Sequence, residues 1–225
     1  MGRLIAIEGL DGSGKDTQSK LLYNDLIAQG KNVNLLSFPN YTSRSSALVQ
    51  MYLDGEFGND PDSVNAYAAT TFFAVDRFAS YEKDWKAIYT DEDSVIIANR
   101  YSTSNAIHQL AKLDRGDWDD YLNWLYDFEF NKLGLPEPGL VLYLEVKPEV
   151  SLAYVKKRSE ETGQRLDIHE LDNEYIMHCY KAAVYAADKL GWERIQCCDG
   201  DELLPIDEIQ AKIQEKVTMY LDVAE

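Results

Sequence analysis

The stretch LIAIEGLDGSGKDTQ, at residues 4–18, constrains the fold of this chain more than any other part of the sequence. Its first four residues form an apolar run that is typical of a buried strand. The run leads into the spacing G-x-x-x-x-G-K, which contains Gly9, Gly12, Gly14 and Lys15. In a P-loop, such glycines let backbone N–H groups converge on phosphate oxygens, and the lysine reaches the terminal phosphates. The stretch therefore predicts a strand, a phosphate-binding loop and a helix; a glycine-rich turn that binds nothing is the alternative.

The end of the loop that usually binds a metal departs from the common motif. The position where a Ser or Thr hydroxyl normally contacts Mg²⁺ is Asp16, and Thr17 follows it. Carboxylate oxygens are ligands that Mg²⁺ accepts, so Asp11 and Asp16 are the candidate metal ligands. Asp16 could instead face solvent in the first turn of the helix, where the helix dipole favours a negative charge.

Length and composition limit the classes of protein that the chain can be. Its 225 residues, 45% of them hydrophobic, can bury one sizeable core, so we expect a single domain over residues 1–225. A net charge of −17 would repel a nucleic-acid polymer, and no apolar run approaches the roughly 18 residues of a membrane span. The odd set of cysteines, Cys179, Cys197 and Cys198, fits free thiols in a reducing compartment. We therefore expect a cytoplasmic protein that binds neither nucleic acid nor membranes.

Segments with the pattern of strands alternate with segments of helical periodicity along the whole chain. We predict strands at residues 4–7, 33–38, 94–99, 140–146 and 193–198, and helices from the loop to Gly30 and at 45–54, 63–88, 101–113, 117–133, 148–158, 174–190 and 206–223. Asp62 or Ser63 would cap the long helix that begins at residue 63. The polar stretch 159–173 is the candidate for a mobile lid. The alternation predicts an α/β fold, a doubly wound five-stranded parallel sheet flanked by helices.

In a sheet of this kind, ligands bind beside the carboxyl ends of the strands. The first predicted strand ends at the loop that contains Asp11. The second ends at FPNY, residues 38–41, and the third ends at NRY, residues 99–101. Because each end carries polar or aromatic side chains, we predict the site at this edge of the sheet.

The chain contains, in order, the segments EGLDGSGKDTQ, FPNY, TTFFAVDR, NRYSTSNAIHQ, GLPEPGLVLYLEV and a lid that runs from basic to acidic. This ordered set covers nearly all of the chain and resembles the bacterial thymidylate kinases, P-loop nucleoside monophosphate kinases that phosphorylate dTMP with ATP. The resemblance implies direct in-line phosphoryl transfer that is assisted by Mg²⁺ and arginines. The surplus of aromatic residues on the long helix at 63–88 indicates a dimer face, so we also expect a homodimer.

The resemblance also implies roles for individual residues. The catalytic residues would be Lys15, Asp11, Arg100 and Arg165, and the ATP-binding residues would be Gly9, Leu10, Asp11, Gly12, Ser13, Gly14, Lys15, Asp16 and Thr17. The substrate-binding residues would be Phe38, Pro39, Tyr41, Phe73, Arg77, Arg100, Tyr101, Ser104, Asn105, His108 and Glu170. Within that set, Arg77 and Asn105 would contact the base, and Phe73, one helical turn before Arg77, would stack on it. Arg100 would lie between the donor and acceptor phosphates.

Several of these assignments have alternatives that the sequence leaves open. Either Phe72 or Phe73 could stack on the base, with the other packed in the core. Arg77 could instead form a salt bridge at the protein surface. The three histidines lack metal-ligand spacing, and only His108 stands at a functional position, where the family often has a Tyr that crowds the sugar 2′ position.

The P-loop of this chain contains no arginine, so the resemblance implies that the lid supplies one to ATP. Arg165, in the segment GQRLD, is the preferred candidate, and Arg158 is the second. A solvated loop arginine is the alternative for Arg165.

Two departures from the family pattern concern the metal and keep other functions open. Asp16 replaces the usual hydroxyl, and Asn99 replaces the acidic residue of the family's D-R-Y or D-R-H triplet. A nucleotide-binding regulator with little catalytic activity is therefore one alternative. A kinase for another nucleoside monophosphate or for a nucleoside is the other, although a nucleoside kinase needs a carboxylate at the end of the second strand, where FPN offers none.

Overall fold

The computed structural model describes residues 1–163, 167–170 and 172–222. Its centre is a sheet of five parallel strands in the order β2-β3-β1-β4-β5. The strands are β1 Arg3–Gly9, β2 Asn32–Ser37, β3 Ser94–Asn99, β4 Leu140–Glu145 and β5 Glu193–Gln196. A short antiparallel hairpin, formed by β6 Cys198–Asp199 and β7 Glu202–Leu203, follows the sheet.

The central strand, β1, pairs with β3 on one side and with β4 on the other. Leu4 and Ala6 face one hydrophobic core, and Ile5 and Ile7 face the second, since successive side chains of a strand point to opposite faces. Burial on both faces explains why this strand is continuously apolar in sequence. The loop that follows β1 consequently lies in the middle of the carboxyl edge of the sheet.

Helices cover both faces of the sheet. They are α1 Lys15–Ala28, α2 Ala47–Leu53, α3 Ala66–Ser80, α4 Lys86–Tyr89, α5 Asn105–His108, α6 Trp118–Tyr126, α7 Pro148–Thr162, α8 Asn173–Leu190 and α9 Ile206–Asp222. A π-helical segment, Tyr81–Trp85, connects α3 with α4, and a second one, Asp127–Lys132, extends α6. None of the described helices is long and apolar enough to cross a bilayer.

The predicted α/β class and the five-stranded parallel sheet are confirmed. The predicted cap of the long helix, Asp62 or Ser63, is wrong, because both residues belong to a 3₁₀ turn that precedes an extended residue. The helix begins only after Asn65, whose side chain accepts a hydrogen bond from the backbone N–H of Ala68 over 2.9 Å.

Two further segments differ from the prediction. The predicted lid, 159–173, begins as helix, because α7 continues into it and ends at Gly163, which has a left-handed backbone with φ 69°. The predicted helix at 101–113 is divided into α5 and two flanking 3₁₀ turns. The chain at Tyr101 is still extended and is held there by a 2.9 Å hydrogen bond from its N–H to Glu8, so a helix cannot start at that residue.

Candidate active site

A cavity of about 470 Å³ opens at the carboxyl edge of the sheet. The structure brings together in its wall every residue that the resemblance implied for substrate binding, namely Phe38, Pro39, Tyr41, Phe73, Arg77, Arg100, Tyr101, Ser104, Asn105, His108 and Glu170. Asp11 of the P-loop also lines the cavity. A concave site where several strands end is the expected place for a ligand in this type of sheet.

The P-loop joins β1 to α1 in a conformation that requires glycine. Gly14 precedes the helix with a left-handed backbone, φ 85°. At Gly12, a Cβ atom would come within 2.5 Å of the carbonyl oxygen of Ser151, so a side chain there would displace the loop. Within the described part of the chain, no side chain caps the start of α1. The first N–H groups of the helix are therefore left for a bound anion.

Lys15 lies inside the loop and is only 7% exposed. Its Nζ donates hydrogen bonds to the carbonyl oxygens of Gly9, over 2.8 Å, and Leu10, over 2.6 Å. It also lies 4.0 Å from a carboxylate oxygen of Asp11. Burial, together with the positive charge of Arg100, lowers the pKa of Lys15 to about 7. A phosphate beside this amine would favour its charged form and raise the pKa again.

Arg100 connects the P-loop with the cavity. Its Nη2 donates a hydrogen bond to Asp11, and its Nη1 donates to Nε2 of His108 over 3.0 Å. Because an arginine only donates, His108 accepts through Nε2 and carries its proton on Nδ1. Arg100 also has a left-handed backbone, φ 65°, which a non-glycine residue adopts only where its surroundings hold it. The hydrogen bonds to Asp11 and His108 hold its guanidinium at the border between loop and cavity.

The charge states of the partners of Arg100 follow from their surroundings. Burial would raise the pKa of Asp11, but the positive charges of Arg100 and Lys15 outweigh it and hold this pKa below its ordinary value. Burial and the charge of Arg100 lower the pKa of His108 to about 3. Near neutral pH, Asp11 is thus ionised and His108 is neutral.

Sequence reasoning missed Glu8, which holds the turn after β3. Its side chain is fully buried and accepts three hydrogen bonds, from the N–H of Tyr101 over 2.9 Å and from the hydroxyls of Thr103 and Ser104 over 2.7 and 2.6 Å. These bonds tie the turn that begins at Arg100 to the end of β1. The sequence signal that could have identified Glu8 is its position as one acidic residue at the end of an otherwise apolar strand.

Arg77 reaches the cavity from α3 and is paired inside the protein. It is 2% exposed, and it donates Nε over 3.1 Å to Oε2, and Nη2 to Oε1, of the fully buried Glu129. Asn105, also 2% exposed, donates its Nδ2 to the same Oε1 over 3.2 Å. The alternative of a surface salt bridge for Arg77 is wrong, because the ion pair lies in the interior. Sequence reasoning missed Glu129, although it follows the buried Leu125 by one helical turn.

The aromatic residues of the cavity fall into two groups. Phe73 lines the cavity, whereas Phe72 packs on Phe57 with the ring centroids 5.7 Å apart, so Phe73 is the one of the two that a ligand in the cavity can contact. Phe38 and Tyr101 are 5% and 0% exposed and pack on each other, with centroids 6.0 Å apart. Their rings therefore support the wall from the core.

Asp76 is a further residue that sequence reasoning missed. Its carboxylate accepts hydrogen bonds from the N–H of Asn40, over 2.9 Å, and from the hydroxyl of Ser45, over 2.6 Å. These bonds attach the segment after β2 to α3. Tyr41 in that segment is 55% exposed and available to a ligand.

One part of the predicted lid closes a side of the cavity. His169 is 6% exposed, and its Nε2 lies 2.8 Å from the hydroxyl oxygen of Tyr52. Its ring stacks on that of His108, with the centroids 5.8 Å apart and the planes inclined by 10°. The neighbouring Ile168 is buried and donates its N–H to the carbonyl oxygen of Leu53 over 3.3 Å. The contacts with Tyr52 and His108 place His169 in the wall of the site. Sequence reasoning found no role for this residue.

The charged lid residues meet at the cavity as well. Glu170 forms an ion pair with Arg158 of α7, and both line the cavity. Burial and the nearby charge of Asp11 raise the pKa of Asp167 to about 7. Arg165, the preferred lid arginine, lies outside the described residues.

The two predicted metal ligands are placed differently. The side chain of Asp16 is 67% exposed and pairs with Lys20 over 2.7 Å, which is the solvent-facing position that the sequence left open. Asp11 lines the cavity. Among the described residues, no group of three or more His, Cys, Asp or Glu side chains is arranged to hold a metal ion. The carboxylate of Asp11 is a type of ligand that Mg²⁺ accepts beside nucleotide phosphates.

Comparisons with known proteins identify the family of the chain. The family model described as thymidylate kinase matches residues 7–213. The thymidylate kinase of Mycobacterium tuberculosis is 34% identical over 190 residues, which are 81% of this chain and 84% of that protein. The enzyme of Schizosaccharomyces pombe is 30% identical over 169 residues, 75% and 72% of the two chains. A solved structure of thymidylate kinase from Candida albicans shares the fold, with a TM-score of 0.68 and 21% identity over 97% of this chain and 92% of that one. The chain belongs to the thymidylate kinase family.

Proposed function

We propose that this protein transfers the γ-phosphoryl group of ATP to dTMP, with ATP on the P-loop and dTMP in the cavity. The activity follows from membership of the family. The observation that carries the assignment of the two sites is the position of Arg100, which bonds to Asp11 of the loop while it lines the cavity. This position supports a site in which the donor and acceptor phosphates meet at one guanidinium, whose planar fork suits phosphate oxygens.

Phosphoryl transfer requires no covalent intermediate on the protein, which mainly positions the two nucleotides and compensates their charge. A phosphate oxygen of dTMP attacks the γ-phosphorus of ATP, and the bond to the bridging oxygen of ADP breaks in line with it. A phosphate monoester is largely ionised near neutral pH, since its second pKa is about 6, so no general base is required. Lys15 and the loop N–H groups compensate the charge of the donor. Arg100 compensates the charge that moves between donor and acceptor.

Mg²⁺ completes the donor site in this proposal. Asp11 would hold it together with the nucleotide phosphates, and Asp16 would have to leave Lys20 in order to take part. When bound, the ion neutralises negative charge on the β- and γ-phosphates.

The acceptor nucleotide is assigned to three groups of residues. Phe73 stacks on the base, and Arg77 and Asn105 bind its polar edge, which their common contact with Glu129 supports. The sugar lies beside His108 and Glu170. The acceptor phosphate lies near Arg100, and the turn with Phe38, Pro39 and Tyr41 covers the sugar and that phosphate.

The lid supplies a further positive charge during transfer. Because the P-loop lacks an arginine, we assign this role to Arg165, with Arg158 as the second candidate. The ion pair of Arg158 with Glu170 at the cavity wall supports a lid whose charges face the nucleotides. Closure would exclude water and so protect the phosphoryl group from hydrolysis.

We also propose that the protein is a homodimer that forms through α3. Tyr67, Val75 and Phe78 are 40%, 46% and 39% exposed, and their spacing places them on one side of the helix. A second copy that covers this apolar face would remove it from water. Sedimentation of the wild type and of Val75→Glu tests the proposal. We expect a dimer and a monomer respectively, and a monomeric wild type would contradict it.

The cytoplasm remains the proposed location. Its support is that Cys179, Cys197 and Cys198 are unpaired, as expected in a reducing compartment. Fractionation of cells followed by detection of the protein would test it, and recovery from an oxidising compartment would contradict it.

The activity is tested by incubating the purified protein with ATP, Mg²⁺ and, in turn, dTMP, dUMP, dGMP, AMP and thymidine. We expect formation of dTDP and an equal amount of ADP with dTMP, and loss of transfer when the metal is chelated. Transfer to thymidine in place of dTMP would support a nucleoside kinase. Binding of ATP and dTMP without any transfer would support a regulator.

A further inference from the structure

The guanidinium of Arg100 has a charged partner on one side and a neutral partner on the other. Nη2 donates a hydrogen bond to the carboxylate of Asp11, and Nη1 donates to Nε2 of His108 over 3.0 Å. The carboxylate cancels part of the positive charge that phosphates require. A neutral imidazole fixes the direction of the guanidinium and leaves its charge available to the phosphates. His108 therefore orients Arg100 without reducing its electrostatic effect.

His108 is itself held from three directions. The hydroxyl of Tyr175, in α8, donates a hydrogen bond to the backbone carbonyl oxygen of His108 over 2.6 Å. The ring of His169 stacks on one face of its ring, with the centroids 5.8 Å apart. At the far edge of the ring, Nδ1 lies 3.7 Å from Sγ of Cys179, which is also in α8 and is 1% exposed. These contacts fix the backbone, the ring face and the ring edge of His108.

The contact with Cys179 matches the tautomer that Arg100 requires. A neutral imidazole donates through one nitrogen and accepts through the other, and the partner of one nitrogen sets the proton on the other. Because Arg100 only donates, Nε2 of His108 accepts and Nδ1 carries the proton, facing the sulfur. Burial raises the pKa of the Cys179 thiol, so the sulfur is an uncharged, weak acceptor. Cys179 thus stabilises the tautomer that accepts from Arg100.

We propose that His108 is a positioning residue that directs Arg100 at the transferring phosphoryl group, and that Cys179 keeps His108 in the tautomer that does so. In the opposite tautomer, an N–H at Nε2 would face an N–H of Arg100 across 3.0 Å, and two donors cannot form a hydrogen bond. Arg100 would then turn away from the phosphates, so the loss would fall on phosphoryl transfer. This inference rests on the proposed function, in which Arg100 contacts both phosphates.

Nitrogen NMR spectroscopy of the imidazole rings, recorded without nucleotide, tests the tautomer directly. In free histidine, the form with the proton on Nε2 predominates. We expect wild-type His108 to carry its proton on Nδ1, with His108→Gln used to assign the signal. Cys179→Val should increase the Nε2–H form, whereas Cys179→Ser, whose hydroxyl oxygen can accept, should keep the Nδ1–H form. A wild-type proton on Nε2, or an unchanged tautomer in Cys179→Val, would overturn the proposal.

A comparison of His108→Gln with His108→Leu tests the positioning role. The two side chains are similar in size and both lack the ring that stacks on His169, but only Gln carries an oxygen that can accept from Arg100. We expect kcat with dTMP to be about tenfold higher in His108→Gln than in His108→Leu, because the second variant lacks a hydrogen bond to a charged group. The KM values for dTMP should differ little between the two. Equal kcat values would contradict the positioning role.

Cys197→Val is the matched control for Cys179→Val. Both cysteines are buried free thiols, but they lie in the hydrophobic cores on opposite faces of the sheet. We expect kcat to fall by about fivefold in Cys179→Val, as for the loss of one neutral hydrogen bond. It should stay at the wild-type value in Cys179→Ser and in Cys197→Val. An equal fall in both Val variants would overturn the proposal, because the effect would then be a general loss of packing.

Failure of this inference can be distinguished from failure of the proposed function. A wild-type protein that transfers no phosphoryl group from ATP to dTMP contradicts the function. A wild type that does so, together with equal kcat values for His108→Gln and His108→Leu, contradicts the positioning role alone. In an Arg100→Ala background, these two variants should no longer differ, because the group that His108 directs is absent. A difference that persists there would show that His108 acts without Arg100 and would overturn the proposal.

Discussion

The P-loop and the acceptor cavity are built by different means. The P-loop is one contiguous segment that offers the backbone N–H groups of an uncapped helix start and the amine of Lys15. The cavity takes side chains from several strand ends, from α3 and α5 and from residues 167–170. Its polar groups are held by buried partners that are distant in sequence, such as Glu8 for the turn after β3 and Glu129 for Arg77.

The two regions should therefore respond differently to substitution. A change in the loop removes charge compensation for the phosphates and leaves the hydrophobic cores as they are. A change in the cavity also leaves a buried charge without its partner, which lowers the stability of the fold. Kinetics and melting temperature, measured on the same variants, distinguish these responses.

The largest effect is expected for Lys15→Ala. Phosphoryl transfer should be abolished, because the amine acts on phosphate charge, while the fold should remain intact. Steady-state kinetics and thermal melting measure the two properties, and Lys20→Ala, an exposed neighbour on the same helix, serves as the control. Normal turnover at an unchanged melting temperature would refute the P-loop assignment.

The next largest effect is expected for Arg165→Ala. If Arg165 reaches the phosphates during transfer, as we propose, its loss should lower kcat by about a thousandfold or more. Binding of dTMP should hardly change, because the lost contact is made in the transition state. Titration calorimetry and single-turnover kinetics test this. If kcat is retained, Arg158→Ala is the next variant, because Arg158 lines the cavity.

A combined effect on binding and stability is expected for Arg77→Ala. The KM for dTMP should rise far more than the KM for ATP, because our proposal assigns the residue to the base of dTMP. The variant should also lose about 3 to 5 kcal/mol of stability, because Glu129 is left buried without its partner. Denaturant unfolding measures this loss. If both KM values rise together, α3 does not form the wall of the acceptor site.

The smallest effect is expected from a change of pH at Asp167. Its pKa is raised from the ordinary 3.8 to about 7, so the folded protein keeps a proton that the unfolded chain has lost, and stability falls as pH rises between these values. Asp167→Asn is neutral and keeps the oxygen that accepts from the N–H groups of His169 and Glu170, over 2.9 Å each. Between about pH 5.5 and 8.5 the wild type should lose about 2 kcal/mol of this stabilisation, so the melting temperature of the variant relative to the wild type should rise by about 4 to 8 °C. A difference that is independent of pH would contradict the shifted pKa.

Sequence was sufficient for the loop and for the succession of strands and helices along the chain, because both depend on local patterns. The apolar run of β1 and the spacing of Gly9, Gly14 and Lys15 are contiguous, and each element of that pattern has its own physical reason. The residues at the ends of β2 and β3 could also be predicted, since the carboxyl ends of parallel strands meet at one edge.

The partners that hold the cavity could not be predicted in the same way. Glu129 and Arg77 are brought together by the packing of α6 against α3, and no sequence spacing encodes that distance. The same holds for His169, whose ring meets Tyr52 and His108 only when the described part of the lid folds onto the cavity. A carboxylate on an apolar helix face indicates a buried ion pair but does not identify its partner.

The uncapped start of α1 has a thermodynamic consequence. An anion that accepts hydrogen bonds from the N–H groups at the start of α1 binds only the folded protein. If that anion is a nucleotide phosphate, the melting temperature has to depend on nucleotide concentration. At about a hundred times its dissociation constant, such a ligand adds about 2.7 kcal/mol to the free energy of unfolding. The protein without nucleotide is therefore the least stable form of the enzyme. A comparison of variants is meaningful only at a stated occupancy of the loop.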